Sequence, residues 1–342
     1  MLNKTFMTDH EKHMNRCIEL ARQGEGRVSP NPLVGAVVLD RNGNVVGEGY
    51  HEKYGEAHAE INALNKAGEK AIGGTLYVNL EPCCHYGKTP PCIDRVLKSG
   101  IKTLVLGMTD PNPKVAGKSI KMAKDAGIEI VENVLNAECL KLNEIFIKNI
   151  IEKKVFVSIK TASTIDGKIA TSTGQSKWIT SKNARAEVHR LRNKYDAILT
   201  GSGTVLADNP SLTCRMEEGR NPVRIVIDSQ GITSSDAKVY NNDGTRVIVW
   251  KNHDLEHLFN SLYEEGIYSV LIEAGTGLNS VVLKKNLADK IYFFIAPKIM
   301  GDKNAMPLFQ GFDVKNLAEC LEFKFGDIKV FSPDVMMEGY LK

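Results

Sequence analysis

The spacing of apolar and polar residues changes period repeatedly along the chain, and each change marks an expected element. Thr8 to Glu11 has the form of a capping box, so a helix is predicted from there to about Gly24. Ser29-Pro30-Asn31-Pro32 excludes helix, because proline lacks a donor and constrains the residue before it. LVGAVVL and VVGEGY flank Asn42-Gly43, a hairpin signal. HAEINALNKAG returns to helical spacing through Ile61 and Leu64. TLYVNL reads as a strand, PPCIDRVLKSG as a helix, KTLVLGM as a strand, AGKSIKMAKDAG as a helix and IEIVE as a short strand. One helix is expected from Glu138 to Lys154, and a domain boundary near Glu152 gives domains 1–151 and 152–342.

The second half alternates again. VFVSIKTA begins a strand, a helix spans about Ser181 to Tyr195, and AILT, VRIVID, RVIVW and SVLIEA follow as strands. DKIYFFIAP is a late strand and VMMEGYL the last. No repeat interrupts the series. Alternating strands and helices predict α/β architecture, with sheets covered by helices. The length of 342 residues suits about two domains. The 42% hydrophobic content supplies two cores and excludes a disordered chain.

A net charge of +3 is too mild for a dedicated nucleic-acid binder. No apolar run approaches the roughly 18 residues of a membrane helix, and MLNKTFMTDHEKHMNR has no apolar segment of a secretory signal. Seven cysteines, an odd count, argue against a disulfide framework and for a reducing cytoplasm. Three of them, Cys83, Cys84 and Cys92, cluster, which points to metal binding or catalysis.

His58 opens a predicted helix, Cys83 follows the strand TLYVNL, and Cys92 lies two residues after Pro90 at a helix start. One imidazole and two thiolates make three ligands for a tetrahedral zinc, leaving a fourth position for water whose pKa the metal lowers toward 7. Glu60, two residues from His58, is placed to shuttle a proton from that water to a leaving amine. Zinc nucleobase deaminases carry His-x-Glu followed by Pro-Cys-x-x-Cys. Here the two cysteines are nine apart, with HYGKTPP within the gap. A buried structural zinc using Cys84 or His85 as fourth ligand is a competing reading, as is coincidence among several cysteines.

EPCCHYGKTPPC, with HAE before it and SPNPLVGAVV further upstream, resembles the bifunctional riboflavin-biosynthesis deaminase/reductase family, in which the longer cysteine spacing is normal. The resemblance runs from about Met14 to the last strand. It implies a cytidine-deaminase-like three-layer domain followed by a dihydrofolate-reductase-like domain. It implies zinc at His58, Cys83 and Cys92, with Glu60 as catalytic proton shuttle. The implied substrate is 2,5-diamino-6-ribosylamino-4(3H)-pyrimidinone 5′-phosphate, which loses its 2-amino group as ammonia. Asn31 is a candidate for the pyrimidine edge, though an ordinary turn asparagine fits equally. His85 and Lys88 are candidates for ribose or phosphate, and a solvated lysine is the alternative for Lys88. His51 is either a pocket residue or a packed histidine.

By pattern alone, EAGTGLNSVVL is a glycine-rich turn between strand and helix, and Ser280 breaks the full dinucleotide fingerprint. The resemblance sharpens this half through SIKTASTIDGKIA, GQSKWITS, TGSGTVLADNPSLTCR and VRIVIDS. It implies a reductase that uses NADPH to convert the ribosyl group to ribityl, by hydride transfer to C1 of the opened sugar imine. It implies cofactor contacts from Ala162, Trp178, Thr204, Asp208, Ser229 and the loop Gly275, Thr276, Gly277, Leu278, Asn279, Ser280 and Val281. Substrate contacts fall to Ser176, Arg192, Leu212, Arg215 and Glu273, with Lys160 and Asp166 near the reacting sugar. The two arginines suit a phosphate, since a guanidinium fork binds it bidentately. Trp178 is alternatively a core aromatic, and Arg192 alternatively a cation complementing a helix end.

Two residues depart from the family pattern: Ala274 stands where glycine is common, and Asn209 where a second aspartate is common. The expected protein is a cytoplasmic enzyme acting on a small phosphorylated pyrimidine, without nucleic acid or membrane, and a homo-oligomer. The competing readings are a zinc deaminase of nucleic-acid bases or nucleosides with a C-terminal binding module, and a structural zinc protein without turnover.

Overall fold

The computed structural model describes residues 7–86 and 90–341. The chain divides into two compact units, Met1–Lys153 and Lys154–Lys342.

In the first unit Thr8 caps α1 (Asp9–Arg22). Its Oγ1 accepts from the Glu11 N–H, and the Glu11 carboxylate accepts from the Thr8 N–H at 2.7 Å. β1 (Gly35–Leu39) and β2 (Val45–Tyr50) form the expected hairpin, with the Asp40 carboxylate accepting from the N–H groups of Asn42 and Asn44. Then come α2 (Ala59–Ala67), β3 (Thr75–Val78), α3 (Cys92–Leu97), β4 (Thr103–Leu106), α4 (Lys118–Asp125) and β5 (Glu129–Val131). The sheet order is β2-β1-β3-β4-β5. β1 runs antiparallel to both its neighbours, and β3, β4 and β5 are parallel.

Two glycines set how closely the helices cover this sheet. A Cβ on Gly35 would lie 2.0 Å from the Cys17 carbonyl oxygen of α1, and one on Gly47 2.2 Å from the Ala63 carbonyl oxygen of α2. Gly47 pairs with Val38, three residues from Gly35, so the two face opposite sides of the pleat. α1 and α2 therefore cover opposite faces, which makes the unit three layers.

The helix expected from Glu138 to Lys154 is two: α5 (Asn136–Leu142) and α6 (Glu144–Glu152). Asn143 breaks it, with φ −104° and ψ 19°. Its buried amide is engaged with the proline segment: Oδ1 accepts from the Leu33 N–H at 2.8 Å and Nδ2 donates to the Leu33 carbonyl at 3.1 Å. Buried Asn79 holds the same segment, accepting from the Gly35 N–H and donating to Leu33. An irregular strip with no helix or strand of its own thus has its main-chain groups satisfied by two side chains.

The second unit contains β6 (Phe156–Thr164), β7 (Lys168–Ala170), α7 (Lys182–Lys194), β8 (Ala197–Gly201), α8 (Ser202–Asp208), β9 (Val223–Ile227), β10 (Val247–Trp250) and α9 (Leu255–Glu264). β11 (Ser269–Ile272), α10 (Thr276–Lys284), β12 (Lys290–Ala296), β13 (Met306–Pro307), β14 (Phe323–Val330) and β15 (Val335–Leu341) complete it. Eight strands lie in the order β10-β9-β8-β11-β6-β12-β15-β14, parallel from β10 to β12 and antiparallel beyond. β7 and β13 pair separately. β14 escapes the sequence reading because it is an edge strand whose apolar residues Phe325, Ile328 and Val330 are exposed, and a register shift between Phe325 and Ile328 spoils its alternation.

Candidate active sites

His58 is the N-cap of α2, and Cys92 is the first residue of α3. Cys83 lies in the loop after β3, anchored by its neighbour but one. The buried Glu81 carboxylate accepts from the N–H groups of Asp110 and Gly117 and from the Ser119 hydroxyl at 2.7 Å, tying the loop to the start of α4. The Ile93 N–H donates to the Cys83 carbonyl, and the Cys92 N–H points at the Cys83 sulfur, 3.3 Å away. The result is convergence. Cys92 Sγ is 3.2 Å and Cys83 Sγ 3.7 Å from His58 Nδ1, and the three donor atoms lie within 4.8 Å of one another. Hydrogen bonds from Cys92 and His58 hold the Cys83 thiol well below the ordinary range. Among the described residues this is the one such cluster. Cys84 directs its sulfur to the Lys114 carbonyl, and His85 is exposed, so neither supplies a fourth ligand. One imidazole nitrogen and two thiols, with no fourth protein donor among the described residues, are the donor set of a catalytic zinc.

Glu60 is the second residue of α2, 3% exposed. One of its carboxylate oxygens is buried without a hydrogen-bond partner among the described residues. Burial pushes its pKa up to about 7, with Cys83 adding to the rise and His58 opposing it. Asn31 Nδ2 lies 3.0 Å from His51 Nε2, and His51 Nδ1 lies 3.1 Å from the Ala57 carbonyl. That carbonyl can only accept, so the His51 proton is on Nδ1 and Nε2 accepts from Asn31. His51 is buried and stands edge-on to His58, with ring centroids 5.0 Å apart. Lys88 lies outside the described residues.

In the second unit several of the expected residues follow or end parallel strands, at the edge where open α/β sheets bind ligands. Thr204 follows β8, Ser229 follows β9, Glu273 follows β11, and Ala162 is near the end of β6. The Glu273 N–H donates to the Leu199 carbonyl, and its carbonyl accepts from Thr200 Oγ1. Its carboxylate meets the Arg192 fork at 2.6 and 3.0 Å and Lys160 Nζ at 3.3 Å. Burial alone would raise this carboxyl; Arg192 and Lys160 more than reverse it and hold it at about 2. The Arg192 fork is engaged with Glu273, and its Nη1 donates to the Thr213 carbonyl. Arg215 is exposed. Leu212 is buried with φ 54°.

Ser176 Oγ donates to Asp208 at 3.0 Å. Trp178 is 64% exposed under the Arg185 guanidinium, which excludes a core role. Asp166 accepts from the N–H groups of Met300 and Gly301, so it staples a loop. The Gly275 N–H donates to Thr204 Oγ1 at 3.1 Å. Thr276 Oγ1 donates to the Pro307 carbonyl, Ser280 Oγ accepts from Gln310, and Asn279 Nδ2 donates to Ala274. With those side chains turned inward, this turn offers a ligand the main-chain N–H groups at the start of α10, an arrangement suited to phosphate.

Residues 7–108 match the model of the cytidine and deoxycytidylate deaminase zinc-binding region, and residues 155–337 match that of the RibD C-terminal domain. The riboflavin biosynthesis protein RibD of Actinobacillus pleuropneumoniae is 42% identical, over 97% of this chain and 95% of that protein. The chain belongs to the RibD family. The RibD of Escherichia coli is 37% identical over 96% of this chain and 98% of its own. A Thermotoga maritima crystal structure described as a diaminohydroxyphosphoribosylaminopyrimidine deaminase/5-amino-6-(5-phosphoribosylamino)uracil reductase superposes with a TM-score of 0.88. It is 41% identical and covers 97% of this chain and 99% of that one. Membership in the RibD family makes this chain a bifunctional deaminase and reductase of riboflavin biosynthesis, with zinc and NADPH as cofactors of its two halves. The folds are the expected cytidine-deaminase-like and dihydrofolate-reductase-like domains.

Both departures from the RibD pattern have a local account. Ala274 is not in the left-handed region, so its methyl group causes no backbone strain. Asn209 is left-handed, with φ 43°; it ends α8 and accepts from the Lys238 N–H, a role asparagine tolerates well. Two residues near the sites were missed in the sequence. Asp110, beside Glu81 and Cys83, is buried and pushed up to about 6 by that burial. His189 stands between Arg192, Arg215 and Glu273. Neither carries a motif; each is placed by the fold alone.

Proposed function

We propose that the first unit hydrolyses the 2-amino group of 2,5-diamino-6-ribosylamino-4(3H)-pyrimidinone 5′-phosphate. The second unit then reduces the ribosyl chain of the product, giving 5-amino-6-ribitylamino-uracil 5′-phosphate. The domains performing these steps are 1–151 and 152–342. The observation that carries the reading is the convergence of His58, Cys83 and Cys92 near a buried Glu60, one of whose carboxylate oxygens has no hydrogen-bond partner among the described residues. Zinc held by those three residues supplies Lewis acidity and lowers the pKa of the attacking water. Glu60 takes the water proton and returns it to the departing amine. Asn31, its Nδ2 committed to His51, presents Oδ1 to a ring N–H or amino group of the pyrimidine. His85 and Lys88 serve the ribose and phosphate.

In the second unit NADPH supplies the hydride. Ala162, Trp178, Thr204, Asp208, Ser229 and 275–281 hold it, the last through the start of α10. Ser176, Arg192, Leu212, Arg215 and Glu273 bind the substrate. Glu273, held ionised by Arg192, fixes the Lys160 ammonium near the reacting sugar. A cytoplasmic location belongs to the same reading, because zinc ligands must remain thiolates and a reducing compartment keeps them so. So does a homo-oligomer, supported by the exposed apolar edge of β14. Light scattering on the purified chain tests the oligomer.

Metal analysis and turnover test the whole. Zinc near one per chain, with ammonia release followed by loss of NADPH absorbance, is expected. Ammonia without NADPH oxidation would remove the reductase assignment, and bound zinc with neither signal would favour a structural zinc protein.

A further inference from the structure

Three residues before Arg192 on α7, and so on the same side of the helix, lies His189. Thr213 ties the two together: its carbonyl accepts from Arg192 Nη1 at 2.9 Å and also from the His189 ring. The Cys214 thiol donates to the His189 carbonyl at 3.4 Å. The imidazole is therefore fixed by the loop that carries Leu212 and Arg215. One ring nitrogen is left over. Nδ1 is buried and has no hydrogen-bond partner among the described residues, a state that in a native protein calls for a ligand or a water. The charged groups facing it are Arg192 from its own helix, Arg215 from the loop and Glu273 from the end of β11.

We propose that His189 is a substrate-binding residue of the reductase, its Nδ1 accepting a hydrogen bond from a hydroxyl of the sugar chain undergoing reduction. The inference rests on the reductase reading above. Since Nδ1 has no partner, the ring's bond to Thr213 falls to Nε2–H, and the neutral ring keeps only a lone pair on Nδ1. Burial and the two guanidinium groups lower its pKa below the ordinary 6.5, against Glu273 and Thr213, and so favour that neutral form. A phosphate oxygen offers no hydrogen to such an acceptor. A sugar hydroxyl does.

The test is steady-state reduction by the full chain, using NADPH and the deaminated ribosylamino phosphate. His189→Phe is expected to raise the KM for that substrate about tenfold while kcat falls less than threefold. His189→Asn, whose Oδ1 occupies the place of Nδ1, should recover most of the loss. As pH falls below 6.5 the wild-type KM should rise more steeply than that of His189→Asn; the substrate phosphate titrates equally in both and cancels. An unchanged KM in His189→Phe overturns the proposal. So does a wild-type KM that falls, relative to His189→Asn, as the ring protonates, since that marks a phosphate donor. If thermal melting shows that His189→Phe is unfolded, the wild-type and His189→Asn pH profiles decide alone. A wild-type chain that oxidises no NADPH with this substrate removes the reductase reading itself, and the proposal with it.

Discussion

Glu60 and Glu273 are both carboxylates enclosed by protein, one in each unit, yet their pKa values stand at about 7 and about 2. Burial pushes both upward. The difference is the company: Glu273 has a guanidinium fork and an ammonium on its oxygens, whereas Glu60 has one oxygen with no hydrogen-bond partner among the described residues. A carboxylate meant to exchange protons is left poised, and one meant to hold cations in place is kept ionised. In the proposed mechanism the same residue type does two different kinds of work, and its surroundings assign them.

Exchanging Glu60 for Gln gives the largest expected effect. Ammonia release should fall about 10³-fold, as loss of a proton shuttle implies, while zinc content stays near one per chain. Normal deamination by Glu60→Gln would end the contrast drawn here. Glu273→Gln comes next. It leaves Arg192 and Lys160 buried without their counter-ion, which should cost the second unit about 3 kcal/mol, read by melting temperature, and abolish NADPH oxidation. The pH dependence has a definite sign. Glu273 has a depressed pKa, so its stabilisation is complete above the ordinary 4.5 and is lost as pH falls through about 2. Glu273→Gln should lack that acid-linked loss between pH 5 and pH 2.

Asn143→Ala should follow, destabilising the first unit by about 2 kcal/mol through the unsatisfied main chain of Leu33. Arg215→Ala is expected to have the smallest effect, lowering reductase kcat/KM about tenfold with ammonia release intact. Loss of ammonia release alone would contradict the assignment of the two activities to separate units.

What could be read in advance differs between the units for a related reason. Metal ligation depends on residue identity, so His58, Cys83 and Cys92 stand out in the chain before any folding is considered. The reductase residues come from strand ends scattered between Ala162 and Val281, and much of what the Gly275 turn offers is main chain, which no side chain advertises. Sequence shows that Arg192 supplies a cation but not that its fork rests on Glu273. The helix over Glu138 to Lys154 went astray: its periodicity is sound, but Asn143 is claimed by Leu33, 110 residues away. β14 was missed because an edge strand needs only one neighbour and can leave its apolar residues outside.

Asn143 also sets where this protein can be shortened. The proposed zinc ligands and Glu60 all precede residue 93, and the matching deaminase region ends at residue 108. Asn31, however, hangs from a strip whose main chain is fastened by a side chain 110 positions later. A fragment cut at the end of its chemistry would keep every catalytic atom and lose the fastening of the segment that presents the substrate contact. The shortest useful piece of the first unit therefore has to extend past α5 to the break before α6.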